Sequence, residues 1–135
     1  MYITETVRFN DVDAEGHVNY ASYLTYLEEA INHLWKKVMM NANRPIDIRD
    51  IGFVTAHLEI DYRHPAQWDQ QLQVDVALTE VGRSSFTTEY EITDAETGDL
   101  IVEAESVQVI TLDREEGGAM PDDIRDSLTT LCESS

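Results

Sequence analysis

The apolar positions of one long segment follow the spacing of a helix. From Tyr20 to Val38, apolar residues recur at steps of four and three, which places them on one helical face. Asn19 stands directly before this run and is a candidate N-cap. Asn41 to Asn43, followed by Arg44-Pro45, predict where the helix ends.

Most of the remaining chain alternates between apolar and polar residues, which is the period of β-strands. The segments with this pattern are Tyr2–Phe9, Val54–Tyr62, Leu72–Leu78, Phe86–Ile92 and Leu100–Leu112. Gly82 and residues 94–99 predict turns, and residues 121–131 predict a short terminal helix. In the last strand the apolar phase shifts after Ala104, which predicts either a bulge near Ser106 or burial on both faces.

The order of these elements predicts an α+β fold in a single domain over residues 1–135, with one long central helix wrapped by a five-stranded antiparallel sheet. One helix covers only part of such a sheet. An edge or a face is therefore left for a second copy of the chain, and we expect a homo-oligomer, either a dimer or a tetramer.

Charge excludes one class of partner. The chain has 27 acidic and 9 basic residues, for a net charge of -18, and its basic residues form no cluster. A field of this sign repels nucleic acid. It also opposes the compact state unless salt screens it, so we expect a halophilic type of protein from a high-salt cytoplasm. The alternative is an ordinary acidic protein.

The sequence offers no signal for a membrane, a metal or a cofactor. No apolar run reaches the roughly 20 residues that span a bilayer, and residues 1–11 lack the pattern of a secretory signal, so we expect a cytoplasmic protein. Cys132 has no second cysteine to pair with. The four histidines do not have the spacing of a zinc hydrolase, and no metal or cofactor is expected.

Polar residues crowd the segment between the first strand and the helix. Asp13 would lie beside the helix start, where its carboxylate can attack a thioester carbonyl or take a proton from water. The N–H groups around Asn19 and Tyr20 could hold the developing oxyanion, and Gly16 would let the backbone pass close to substrate. The same residue types are common in turns and caps, so spacing alone leaves the role of this segment open.

The stretch from Asp11 to Ala30, D-V-D-A-E-G-H-V-N-Y-A-S-Y-L-T-Y-L-E-E-A, resembles a known signature. It is similar to that of 4-hydroxybenzoyl-CoA thioesterase-like hotdog proteins, in the branch whose motif runs D-x-D-x-x-G-H-V-N-N-x-x-Y. Residues 61–66 and 82–86 are more weakly similar to the same family.

This resemblance implies a hotdog dimer with active sites at the subunit interface and acyl-CoA hydrolysis as the reaction. It places the catalytic carboxylate on Asp13 and the oxyanion-binding amide on Tyr20. His17 and Asn19 are candidates for a second functional polar group. Tyr20 stands where the motif has its second Asn, which leaves in doubt a mechanism that needs that side chain.

Substrate-binding candidates lie further along the chain. Tyr23 could line an acyl tunnel or simply pack in the core. Arg63, His64 and Arg83 lie at strand ends, where they could bind the phosphates of CoA or balance surface acids. Acyl-CoA is the expected substrate. An acyl carrier protein ester is an alternative, although an acidic carrier should be repelled, and a hotdog module that binds without cleaving is another.

Each of three more polar residues has two possible interpretations. Glu28 is either a carboxylate that supports the site or a solvated helix residue. His57 either faces solvent or reaches the acyl pocket. Asp11 is either a turn or dimer residue or a catalyst, and the first is expected.

Overall fold

The structure, a computed structural model, describes residues 1–45, 52–112 and 118–133. Its elements are β1 (Tyr2–Thr6), a short 3-10 helix (Phe9–Asp11), α1 (Tyr20–Asn41), β2 (Phe53–Tyr62), β3 (Gln71–Val81), β4 (Ser85–Asp94), β5 (Leu100–Ile110) and α2 (Asp122–Glu133). The strands form one antiparallel sheet in the order β1-β3-β4-β5-β2. This confirms the predicted α+β hotdog fold, a sheet wrapped on one long helix.

Helix α1 begins where the sequence predicts, because the side chain of Asn19 accepts a hydrogen bond from the Ser22 amide at 3.1 Å. One face of the helix is buried against the sheet, through Tyr23, Tyr26, Leu27, Ala30, Ile31, Leu34, Trp35, Val38 and Met39. At the far end, α2 packs beside α1, and its Ser127 hydroxyl donates to the Val38 carbonyl at 2.7 Å. In the described part of the chain, no helix is long and apolar enough to cross a membrane.

The first strand is shorter than predicted. It ends at Thr6, which pairs with Gln71, the first residue of β3. Beyond this pair β3 offers no further partner, so the chain leaves the sheet. Phe9 therefore lies in the 3-10 helix, 71% exposed, with its ring edge-on to Trp68.

The irregularity predicted near Ser106 is found on the neighbouring strand β2, and the second face of β5 is only partly buried. Val102, Ser106, Gln108 and Ile110 are all buried on one face of the strand, so the inward phase continues through the polar residues. The pairing of Ser106 with its neighbours on β2 and β4 is regular. The register shifts lie in β2 between Thr55 and His57, which pair with Gln108 and Val107, and in β5 at Ile101.

Strand β2 is an edge strand, and its apolar residues are more exposed than a half-buried strand would predict. Val54, Leu58 and Tyr62 are all exposed, and among the described strands β2 has β5 as its single neighbour. The backbone groups on the outward side of this ten-residue strand thus stand beside apolar side chains, an arrangement that favours association.

The outer face of the sheet concentrates negative charge. Carboxylates stand directly opposite one another in five cross-strand pairs, Glu59 with Glu105, Glu105 with Glu89, Asp61 with Glu103, Glu103 with Glu91 and Glu91 with Asp75. Arg63 contacts this group, at 2.9 Å from Glu103. Like charges in direct cross-strand register destabilise a sheet.

Candidate active site

A tight turn shapes the segment between β1 and α1. The Asp13 amide donates to the His17 carbonyl at 2.8 Å, and the Gly16 amide donates to the Asp13 carbonyl at 3.0 Å. Gly16 has φ +81, a left-handed conformation that costs glycine little. The turn is fastened to the loop between β2 and β3, where Val18 donates to the Ala66 carbonyl.

The carboxylate of Asp13 is held on one side only. Its Oδ1 accepts hydrogen bonds from the Glu15 amide at 2.9 Å and the His17 amide at 3.2 Å. Within the described residues, Oδ2 has no partner. The turn therefore orients the carboxylate while leaving one oxygen available to a ligand.

The start of α1 offers two donors beside this carboxylate. Asn19 and Ser22 use their amides within the cap, since Asn19 donates to the Asp11 carbonyl and Ser22 to the Asn19 side chain. Among the described residues, the amides of Tyr20 and Ala21 have no acceptor. Such free N–H groups carry the positive end of the helix dipole and can bind an oxyanion.

The side chains of Asn19 and His17 serve the turn. The Asn19 side chain caps α1 through Oδ1 and donates from Nδ2 to the Asp11 carbonyl at 3.2 Å, so both of its ends are engaged. His17 orients Asp13 through its backbone amide, whereas its imidazole lies 3.8 Å from Glu15. Both side chains therefore act on groups other than the Asp13 carboxylate.

These residues face an open pocket of about 380 Å³. Asp13, His17, Asn19, Tyr20, Tyr23 and Arg63, all of them predicted site residues, are among those that line it. Tyr62 of β2 completes the mouth, with its ring 4.9 Å from that of Tyr20 and 5.4 Å from that of Tyr23. Burial raises the pKa of Tyr23 and of Tyr62, so both phenols are neutral at pH 7.

Tyr23 lines the pocket and also holds the loop between β2 and β3. It is only 2% exposed, and its hydroxyl accepts the Ala66 amide hydrogen bond at 3.0 Å. Replacing Tyr23 by Phe is expected to destabilise the protein by about 1–3 kcal/mol, because the buried Ala66 N–H loses its acceptor. Urea unfolding at fixed salt measures this loss.

The exposed Tyr2 provides the matched control for that substitution. Tyr2→Phe removes the same hydroxyl from a surface position and is expected to leave the unfolding free energy unchanged. If Tyr23→Phe behaves like Tyr2→Phe, the bond to Ala66 contributes nothing to stability.

Comparison with known proteins assigns the family. Residues 7–128 match the model of the thioesterase-like superfamily. The chain belongs to this superfamily. The match includes the Asp13 turn, α1 and all of β2 to β5.

Three proteins with similarity to this chain are thioesterases or CoA-thioester hydrolases. A thioesterase from Thermus thermophilus, solved as a complex with coenzyme A and Zn, is 30% identical with a TM-score of 0.81, covering 98% of this chain and 93% of that one. The acyl-CoA thioester hydrolase YbgC of Escherichia coli is 29% identical over 107 residues, 79% of this chain and 78% of the relative. The 1,4-dihydroxy-2-naphthoyl-CoA hydrolase of Synechocystis is 26% identical over 99 residues, 73% of this chain and 72% of the relative.

Some predicted residues lie outside the pocket of this thioesterase-like chain. Gly16 does not line it and is explained by its backbone conformation. Arg83 lies in the turn between β3 and β4, at the opposite end of the sheet from Arg63. Glu28 lines a second groove further along α1. His57 is exposed on β2, 3.1 Å from Glu59.

Asp11 connects the turn that follows β1 to helix α1. Its Oδ2 accepts a hydrogen bond from the Tyr26 hydroxyl at 2.8 Å, which ties the turn to α1. Burial, together with this bond, raises the pKa of Tyr26, so the phenol keeps its proton and remains the donor. The sequence predicted a turn or dimer residue at Asp11, but not this partner fifteen positions away.

Tyr62 was missed as a pocket residue. The sequence signal for this role was the position of Tyr62 at the end of an alternating strand, directly before Arg63. This position places an inward aromatic ring at the sheet end nearest the turn.

In the described part of the chain, no group of three or more His, Cys, Asp or Glu residues could hold a metal ion.

Proposed function

We propose that this chain hydrolyses an acyl-CoA thioester to a free acid and CoA at the pocket around Asp13. The observation that carries the proposal is the pairing of an oriented carboxylate, whose Oδ2 is open, with unpaired helix-start amides in one pocket of the described chain. Thioester hydrolysis needs both parts, a group that delivers or activates the nucleophile and donors for the oxyanion.

In the proposed reaction the thioester carbonyl oxygen accepts hydrogen bonds from the Tyr20 and Ala21 amides. Asp13 acts as a general base or as the nucleophile. As a base, it takes a proton from water while the water oxygen bonds to the carbonyl carbon; the tetrahedral intermediate then expels the CoA thiolate, which takes the proton from Asp13 and restores the carboxylate. As a nucleophile, its oxygen bonds to the carbon, the thiolate leaves, and water hydrolyses the resulting anhydride.

A second copy would complete the site. The long exposed edge of β2 favours antiparallel pairing with β2 of another protomer, which gives a dimer. The dyad would bring the opposite sheet end of the partner beside the Asp13 pocket, and with it Arg83 of the partner subunit. The acidic outer faces would repel one another, so we expect dimers not to stack through them.

Arg83 would then bind the phosphates of CoA across the interface. Arg83→Gln is expected to raise KM for an acyl-CoA ester several-fold and to leave kcat unchanged, because the phosphates lie far from the reacting carbon. The matched control is the same acyl group on N-acetylcysteamine, which lacks phosphates and should show no change. Equal effects on both esters would contradict this role.

The proposal is tested by thiol release from a panel of aromatic, short-chain and long-chain acyl-CoA esters in molar KCl. Turnover of at least one ester supports acyl-CoA hydrolysis. A folded protein that cleaves none of them contradicts it. The same acyl groups on acyl carrier protein form a parallel panel, and faster turnover there would move the assignment to carrier-protein esters.

A further inference from the structure

A second groove lies along α1, one helical turn from the Asp13 pocket. Tyr20 lines the pocket and Leu24, one helical turn later, lines the groove, just as Tyr62 and Leu58 do on β2. The groove has a volume of about 400 Å³. Its walls are mainly apolar, formed by Leu24, Leu27, Ile31, Phe53 and Leu58, with the polar side chains Glu28, Asn32 and Thr55 among them.

The floor of this groove is polar. It is formed by Tyr90, Ser106 and Gln108, which are at most 3% exposed. The Tyr90 and Ser106 hydroxyls lie 2.7 Å apart, and both lie within 2.9 Å of the Thr88 hydroxyl behind them. Gln108 donates to Ser106 at 2.8 Å and accepts from Thr55 at 2.7 Å.

A groove for a plain alkyl chain would not need this floor. Apart from the Thr88 and Thr55 hydroxyls that bond to this floor, the inner sheet face is largely apolar, with Val74, Val76, Leu78, Ile92, Val102 and Ile110 fully buried. Polar groups gain less than apolar ones from burial under an alkyl chain, and they must keep their hydrogen bonds. The floor therefore favours a ligand that forms hydrogen bonds.

The hydrogen-bond network of this floor also has a donor and an acceptor that remain unused among the described residues. Each hydroxyl has one proton and two lone pairs, and an amide nitrogen has two protons. Within the described residues, Gln108 uses one amide proton, on Ser106, and the Tyr90 hydroxyl has a lone pair left after its contacts. A ligand hydroxyl could accept from Gln108 and donate to Tyr90.

The position of the floor indicates how long this ligand must be. Ser106 pairs with Leu58, four residues along β2 from Tyr62 at the mouth. At the rise of a strand, this separation is roughly 13 Å. With the thioester carbonyl at the start of α1, as proposed above, the floor would lie at the depth of the far end of an acyl group.

We propose that the groove selects acyl groups that carry a neutral hydroxyl at their far end, and that Tyr90, Ser106 and Gln108 determine this specificity. The inference rests on the proposed function. Glu28 lines the same groove and repels an acyl group that ends in a carboxylate. The net charge of the chain, -18, acts in the same direction.

The test compares kcat/KM for matched esters, octanoyl-CoA with its terminal-hydroxyl and terminal-carboxyl analogues, and naphthoyl-CoA with hydroxynaphthoyl-CoA. The wild type is expected to prefer the hydroxylated ester by about tenfold or more over either partner. Tyr90→Phe and Ser106→Ala should bring the preference for the hydroxyl close to one, mainly by slowing turnover of the hydroxylated esters.

Thr88→Val is the matched control, because it removes a hydroxyl from the same network at a position that does not line the groove. It should lower thermal stability as the other variants do and largely keep the preference. A wild type that cleaves these esters without preferring the hydroxyl overturns the inference and leaves the proposed function intact. So does a loss of preference in Thr88→Val equal to that in Ser106→Ala. A protein that cleaves no ester overturns both proposals.

Discussion

Replacing Asp13 by Asn is expected to lower kcat for acyl-CoA hydrolysis by roughly a thousandfold or more, since an amide can neither accept the proton from water nor form the acyl bond. The fold should survive, because the amide oxygen still accepts the hydrogen bonds that Oδ1 receives from Glu15 and His17. Thiol release under saturating ester measures the loss.

The control is Glu15→Gln. Glu15 lines the same pocket and carries the same charge, so this variant makes the same electrostatic change without touching Asp13. It is expected to keep kcat within a few-fold of the wild type. If both variants lose activity equally, the pocket needs negative charge in general and the assignment to Asp13 is wrong.

The second large effect is the dependence of stability on salt. The five directly opposed acidic pairs on the outer sheet face each cost up to about 1 kcal/mol at low salt, so screening them should raise the free energy of unfolding by about 1–5 kcal/mol in molar KCl. Urea unfolding across a KCl series measures the increase. A chain that is as stable at low salt as in molar KCl contradicts both this prediction and the halophilic hypothesis.

Glu105 lies between Glu59 and Glu89 and tests where the effect arises. Glu105→Gln removes two opposed pairs and should stabilise the protein at low salt by about 0.4–2 kcal/mol, with a shallower dependence on KCl. Glu96→Gln, in the exposed turn before β5, removes the same charge away from the cluster. Equal stabilisation by both variants would assign the effect to net charge instead of cross-strand register.

The sequence predicted the fold because its local signals agree with the final structure. The apolar stripe from Tyr20 to Val38, the Asn19 cap and the alternation in four strands depend on residues close together in the chain. The end of β1 was wrong because it depends on where β3 begins, some sixty-five residues later. Nothing local to Phe9 records that limit.

The site, like the fold, could be predicted only where it depends on residues close together in the chain. Asp13 and Tyr20 belong to one continuous motif, so their place at the helix start could be predicted. The polar floor of the groove could not, because Ser106 and Gln108 interrupt an apolar pattern and were taken for a change of phase. Their burial depends on Thr88, Tyr90 and Thr55, which lie on the neighbouring strands β4 and β2.

The central claim is that the thioester is cleaved in the Asp13 pocket, and a crystal structure of Asp13→Asn with an uncleaved acyl-CoA ester tests it most directly. We expect the thioester carbonyl oxygen within hydrogen-bond distance of the Tyr20 or Ala21 amide, the carbonyl carbon facing the side chain at position 13, and the acyl group in the groove along α1. An ester bound with its carbonyl away from the start of α1 would contradict the claim.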